Sequence, residues 1–74
     1  NAVGRVLILH KNVKGMISSY TTVLGDADIN ISDMTNKSRG DYACTLMDVD
    51  APVTADVVEK LNALDNVLRV RVVK

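Results

Sequence analysis

Residues that stabilise many small domains through covalent or metal links are scarce in this 74-residue sequence. Cys44 is the only cysteine, so no disulfide can form within the chain. His10 is the only histidine, and no pair of Cys or His residues has the spacing of a zinc site. A chain of this size buries only about 60% of the surface that its unfolded form exposes. Its stability must therefore come from packing and from association with another surface, which favours an oligomer or a piece of a larger protein.

The sequence also lacks an excess of one charge and any long apolar run. Nine basic and nine acidic residues give a formal net charge of zero. Binding to a phosphate backbone needs a basic surface, so this balance argues against a nucleic-acid partner. No run could span a bilayer and the start lacks a signal-peptide pattern, so no membrane association is expected. With 47% hydrophobic residues the chain is of the globular class. Because it has neither a membrane-spanning run nor a signal-peptide pattern, a cytoplasmic location is expected.

Hydrophobic periodicity predicts six elements in the order strand, helix, strand, strand, helix, strand. The strands are expected over 5–9, 29–36, 42–49 and 67–73. The first helix is expected over 16–24, with Gly25 as its left-handed stop, and the second follows Thr54 as its N-cap. In the last strand, Leu68, Val70 and Val72 are expected to face the core. Asn1 and Ala2 look like residues left by cloning, so the predicted domain spans 3–74.

This order is typical of an α+β, ferredoxin-like βαββαβ sandwich, a four-stranded antiparallel sheet with two helices on one face. Right-handed crossovers place both helices on the same side. The first and third strands are then central, and the second and fourth are edges. Because the first strand is apolar on both faces, we expect something else to cover part of the face without helices. The edge strand that carries Asn30 is free to pair with a neighbouring copy.

The loop after the first strand has the residue types of a small-molecule site. It leads into a helix N-terminus, whose unpaired N–H groups suit a carboxylate. The side chains of His10 and Asn12 can donate to such a group, and Gly15 lets a ligand approach the backbone. The structural alternative is that His10 and Asn12 only cap the loop. Asn30 is a further candidate because asparagine is disfavoured in strands. Its amide either faces a ligand or partner subunit, or bonds a nearby loop.

The other polar residues suggest neither a catalytic nor a metal site. Cys44 lies mid-strand with no neighbouring base, which favours a buried small hydrophobe. Asp26, Asp28 and Asp33 match no calcium loop and are interpreted as solvated turn residues. Arg69 and Arg71 are interpreted as a solvated strand face rather than an anion site.

Four stretches carry a more specific pattern: GRVLILHKNVKG at 4–15, INI at 29–31, RGDYA at 39–43 and LRVR at 68–71. Together they resemble ACT domains, most of all those at the C-terminus of D-3-phosphoglycerate dehydrogenases, over nearly the whole chain. The resemblance implies an allosteric domain that is not itself an enzyme and that pairs edge to edge with a second copy. It implies L-serine as a feedback inhibitor at the interface, held by His10 and Asn12 from one copy and Asn30 from the other. NAD and the catalytic residues would belong to an upstream domain, with no cofactor in this one.

One position departs from that family, since Lys14 replaces the proline that usually precedes the loop glycine. Lysine removes the rigidity that proline gives to the first helical turn, and adds a charge that either assists a carboxylate or points into solvent. The departure keeps open a second hypothesis, a structural dimerisation module that has lost its ligand. An RNA-binding domain of the same topology would stack bases on sheet aromatics, and this chain offers only Tyr20 and Tyr42. A copper chaperone would need a second cysteine.

Overall fold

The computed structural model describes residues 3–73, so the interpretation of Asn1 and Ala2 and the position of Lys74 lie outside the described residues. Six elements occur in the predicted order. They are β1 (Gly4–Lys11), α1 (Met16–Asp26), β2 (Ile31–Arg39), β3 (Tyr42–Val49), α2 (Ala55–Asn62) and β4 (Val67–Val72). Neither α1 nor α2 is long and apolar enough to cross a membrane.

The four strands form one antiparallel sheet in the order β2-β3-β1-β4. This confirms the predicted ferredoxin-like fold, with β1 and β3 central and β2 and β4 at the edges. Alternate residues of the central strands, among them Val6 and Ile8, are fully buried against both helices. The helices therefore share one face of the sheet, and the other face carries none of the described helices. The buried cluster is Val6, Ile8, Met16, Tyr20, Leu24, Ile29, Met47, Val49, Val57 and Leu61.

Helix α1 buries Met16, Tyr20 and Leu24, which are spaced four residues apart and so share one face. The prediction that Gly25 ends this helix is wrong. The left-handed residue is Asp28, with φ 60°, and the N–H of Ile29 donates to the carbonyl of Leu24 at 2.9 Å. This is a Schellman C-cap, in which aspartate takes the place usually filled by glycine. It turns Ile29 back onto Leu24 in the core.

Because Ile29 belongs to this helix cap, β2 begins at Ile31, two residues later than predicted. Asn30 precedes the strand, and its backbone N–H donates to Oδ1 of Asp50 at 2.9 Å. The pairing of β2 with β3 then shifts between Ile31 and Asp33, which is a β-bulge. From that point on, even-numbered residues of β2 face the helices.

A second irregularity changes the face that β4 presents. The pairing of β1 with β4 shifts between Leu9 and His10, where His10 pairs with Val67. Val67 and Val70 therefore pack against the core, while Leu68 is 47% exposed. Strict alternation predicted Leu68, Val70 and Val72 as the core residues of this strand, and only Val70 packs there.

The start of α2 follows the prediction. Thr54 is the N-cap, and its side chain accepts a hydrogen bond from the N–H of Val57 at 3.4 Å. Asp56 lies in the first turn and Lys60 in the last, as the helix dipole favours. Val57 and Leu61 are the buried residues that attach this helix to the sheet.

Candidate functional site

An open cavity of about 430 Å³ lies where β1 passes into α1. This volume falls within the range of small-molecule sites, about 300–1,000 Å³. Three of the four predicted site residues, His10, Asn12 and Gly15, line it, and Asn30 does not. The full lining is His10, Asn12, Val13, Lys14, Gly15, Met16, Ile17, Ser18 and Asn36.

The helix end of the cavity has an uncompensated positive dipole. Gly15 is the N-cap of α1 in a left-handed conformation, φ 86°, which a residue with a Cβ rarely adopts. Among residues 3–73, no side chain caps the helix, and its first turn contains no acidic residue. The N–H groups of this turn therefore have no side-chain acceptor, and the exposed Lys14 adds a positive charge to the same wall. Such an arrangement favours a carboxylate.

Asn12 holds the loop against the turn between β2 and β3. Its backbone N–H donates to the carbonyl of Asp41 at 2.8 Å, and its Nδ2 donates to the carbonyl of Gly40 at 3.2 Å. The structural role that the sequence left open is therefore present. Within residues 3–73, Oδ1 of Asn12 takes part in no hydrogen bond, so it can still accept one from a ligand.

His10 belongs to β1 rather than to the predicted loop, and its side chain is buried, with 2% of its surface exposed. Nδ1 donates to the carbonyl of Lys11 at 2.9 Å, and Nε2 lies 2.8 Å from Oγ1 of Thr45. Oγ1 of Thr45 lies in turn 3.3 Å from Oδ1 of Asn36. The imidazole is thus linked through β3 to the cavity wall on β2. Its predicted contact with a carboxylate is not tested by these bonds and stays a prediction.

Proton counting allows two arrangements of this chain of hydrogen bonds. A carbonyl only accepts, so Nδ1 of His10 carries a proton. If Thr45 donates to Asn36, Nε2 must also donate and the ring is an imidazolium. If the ring is neutral, Thr45 donates to Nε2, and Asn36 turns its amide nitrogen toward Thr45. The group that Asn36 presents to the cavity therefore depends on the direction of the hydrogen bond between His10 and Thr45.

Asn36 is a cavity residue that the sequence reasoning missed. Regular alternation from Ile29 and Ile31 would put odd-numbered residues of this strand on the core side and Asn36 on the other. The bulge between Ile31 and Asp33 reverses that assignment. Only the spacing of Met34 relative to the preceding isoleucines carried a signal of the change.

Asn30 lies at the other end of the same edge strand. Ile31 pairs with Val49, which pairs with Gly4, whereas Asn36 pairs with Thr45 near the end of β1. At about 3.3 Å per residue, Asn30 is roughly 20 Å from Asn36 within one chain. Its exposed side chain cannot reach the cavity of its own chain.

Comparison with solved structures gives the fold a name. The crystal structure of the ACT domain from GTP pyrophosphokinase of Chlorobium tepidum superposes with a TM-score of 0.74, at 18% identity over 95% of both chains. The chain has the fold of an ACT domain. The solution NMR structure of that Chlorobium domain has a TM-score of 0.69 at 20% identity, covering 96% of this chain and 84% of that chain. The crystal structure of protein BT0572 from Bacteroides thetaiotaomicron has a TM-score of 0.65 at 20% identity. That match covers 96% of this chain and 46% of the BT0572 chain.

These likenesses establish the fold. No family model and no curated protein matches the sequence.

One residue of the ACT fold, Tyr20, lies behind the cavity wall and has an unusual environment. Its ring meets the ring of His10 edge-on, with centroids 5.5 Å apart and planes at 74°. The side chain is fully buried, and within residues 3–73 its hydroxyl has no hydrogen-bond partner. Burial raises the pKa of Tyr20 to about 12, because the phenolate would be poorly solvated.

We expect Tyr20→Phe to raise the free energy of unfolding by about 1 kcal/mol, since it removes a buried hydroxyl that has no partner. The wild-type chain should also lose stability as the pH rises from about 10 to 12, because the unfolded phenol ionises first. This contribution should vanish in the variant. Urea denaturation at pH 7 and pH 11 measures both effects. A destabilised variant would show that the hydroxyl bonds an ordered water.

Cys44 does not occupy the predicted place in the core. It is half-buried and pairs with Leu9 on the face of the sheet opposite the helices. Arg69 and Arg71 lie on that same face and are exposed, as predicted for a solvated strand face.

Proposed function

We propose that this chain is an amino-acid-binding allosteric regulatory domain, and that its ligand is L-serine, held between two copies of the chain. The observation that carries the proposal is the cavity at the start of α1. It combines an uncapped helix N-terminus and Lys14 with the amides of Asn12 and Asn36. The ACT fold supports a regulatory role.

A zwitterion fits this cavity in one orientation. Its carboxylate accepts from the N–H groups of α1, beside Gly15 and the ammonium of Lys14. Its ammonium needs acceptors, and no carboxylate lies among the cavity residues. Oδ1 of Asn12 is one acceptor within the chain. We propose that Asn30 of a second copy supplies another.

The topology explains how Asn30 would reach the cavity. Strand β2 is an edge, so it can pair antiparallel with β2 of a second copy about a two-fold axis. With the axis near Asp33, Asn30 of one copy lies beside Asn36 of the other. Two copies would then form two composite sites at one continuous sheet.

The resemblance of the loop and of INI at 29–31 supports an NAD-dependent D-3-phosphoglycerate dehydrogenase as the parent enzyme. Serine, as the end product of that pathway, would lower the activity of the parent by favouring one arrangement of the paired domains. Coupling of this kind is typically worth about 1–3 kcal/mol.

Calorimetric titration of the chain with L-serine tests the proposal, with glycine and L-aspartate as competitors. We expect L-serine to bind, and Asn30→Ala to weaken binding roughly 10- to 150-fold, which corresponds to a charged hydrogen bond of about 1.5–3 kcal/mol. Asn62→Ala, which changes an exposed asparagine that does not line the cavity, is the matched control. Unchanged affinity in Asn30→Ala would remove this residue from the site.

Mixing two variants tests whether the site is shared between copies. Asn30→Ala and Asn12→Ala each damage both sites of a homodimer. In a mixed dimer, one site keeps both native residues, so an equal mixture should recover about a quarter of the sites. No recovery, with mixed dimers shown by mass spectrometry, would mean that both residues act within one copy.

The structural dimerisation module is the second candidate. It is favoured by the observation that both ring nitrogens of His10 and the amide nitrogen of Asn12 already have partners inside the chain. On this hypothesis the chain dimerises in sedimentation experiments, and no amino acid changes its melting temperature or releases heat.

A further inference from the structure

The face of the sheet that carries no described helix, here called the open face, has a charge very different from the chain average. Six of the nine lysines and arginines belong to it, against two acidic residues, Asp33 and Asp48. The remaining acidic residues lie on the helices, loops and turns. Zero net charge argues against a basic surface only if the charges are evenly distributed. Here they are not, and the open face is basic. Its cations are Arg5, Lys11, Lys37, Arg39, Arg69 and Arg71.

The centre of the open face is apolar. Leu9 pairs with Cys44, and Leu7 pairs with Leu46, so four side chains of β1 and β3 form a block two residues wide and two long. Leu9 is 40% exposed, and Tyr42 at one end of the block is 52% exposed. Shallow depressions of about 210 and 220 Å³ lie on either side of Cys44.

Cations border this block on both sides. Arg69 lies beside Leu9 on β4, and Lys37 lies beside Cys44 on β2. Arg71 and Arg39 extend the two borders. Within residues 3–73 the recorded ion pairs are Arg5–Asp48 and Lys60–Asp56, so these four border cations have no carboxylate partner in the described chain.

Arg5 differs from the border cations because Asp48 already neutralises it. Its Nε donates to Oδ1 of Asp48 at 2.6 Å, and this hydrogen bond raises the pKa of Arg5. The unmatched charge of the open face is therefore concentrated around the apolar block.

We infer that the open face docks an acidic amphipathic helix of a protein partner. The apolar ridge of that helix would lie on the apolar block, and its carboxylates would lie against the cations on β2 and β4. The dimensions agree. The outer strands lie about 14 Å apart, and a helix with its side chains is about 10–12 Å wide. Its flanking carboxylates would therefore lie above the two basic borders.

Two other occupants fit less well. A second copy stacked through the same face would bring the unmatched cations of both copies together, and like charges at an interface repel. Single-stranded nucleic acid supplies phosphates, but its bases stack on aromatic side chains. The block is aliphatic, and Tyr42 is the only aromatic residue of the open face.

A designed peptide of about 18 residues tests the inference, with leucines on one helical face and glutamates on both flanks. A peptide with lysine in place of glutamate and an oligouridine are the comparison probes. Binding is measured by fluorescence anisotropy. Because Cys44 is the only cysteine, the rate of its reaction with a thiol reagent reports directly whether the open face is covered.

We expect the glutamate peptide to bind, to slow the reaction of Cys44, and to bind roughly tenfold more weakly to Arg69→Glu. Lys60→Glu makes the same charge change on α2 and should alter the affinity less than about twofold. Circular dichroism checks that both variants are folded. The inference is overturned if Cys44 is not protected, if the two variants behave alike, or if oligouridine binds more tightly than the glutamate peptide.

Discussion

Replacing Ile8 with alanine is expected to lower the free energy of unfolding by about 2–5 kcal/mol. Ile8 is fully buried in the middle of β1, in the cluster that joins the sheet to both helices. The neighbouring Leu9 points to the open face and is 40% exposed. Leu9→Ala should therefore cost less than about 1 kcal/mol, although it removes a side chain of the same size. Urea denaturation followed by circular dichroism measures both values.

The difference matters because a domain of this length has little stability to lose. The free energy of unfolding of a domain is typically about 0.05–0.15 kcal/mol per residue. Ile8→Ala therefore removes a large fraction of the stability of this chain and brings it close to unfolding. The pair of variants also tests the assignment of faces. Equal losses at low protein concentration would mean that the open face is as well covered as the helix side. Equal losses only at high concentration would indicate that association covers it.

The fold was predictable because it depends on periodicity that is local and regular. The apolar run of β1, the four-residue spacing of Met16, Tyr20 and Leu24, and the cap at Thr54 each specify one element. Six such elements in this order admit few topologies, because parallel crossovers are right-handed. The strand order followed from this rule without any long-range contact being known.

The errors share a different physical origin. A bulge adds one residue to a strand and reverses the faces of everything beyond it, and its position depends on pairing with a distant strand. The bulges opposite Val49 and at Leu9 moved Asn36 and Leu68 to unexpected faces. Aspartate at Asp28 can adopt the left-handed conformation that glycine adopts more easily, so composition pointed to Gly25 instead. Local patterns contain too little information to decide such cases.

The cavity was predictable only in part for the same reason. Asn12 and Gly15 follow a strand and precede a helix, so sequence order alone places them together. The link from His10 through Thr45 to Asn36 crosses three strands and requires the register. The basic open face requires it too, because its cations come from three strands, β1, β2 and β4, and the net charge of the chain conceals them.

Glycine at the start of β1 is expected to be sensitive to substitution, although it has no side chain to lose. Gly4 is buried, and a Cβ at this position would lie 2.5 Å from the carbonyl oxygen of Ala51 and 2.9 Å from a methyl of Val49. A backbone carbonyl cannot rotate away as a side chain can, so the segment between β3 and α2 must shift. Gly4→Ala should lower the free energy of unfolding by about 1–3 kcal/mol or more.

Gly25 provides the matched control, because the same substitution there meets no atom within 4 Å. It lies inside α1 and is exposed, so alanine should stabilise the helix by about 0.5–1 kcal/mol. The same substitution is thus expected to lower the free energy of unfolding at Gly4 and to raise it at Gly25. The midpoints of urea denaturation measure both changes. If Gly4→Ala were neutral, the chain between β3 and α2 would be free to move. That freedom would contradict the close packing of this segment against β1.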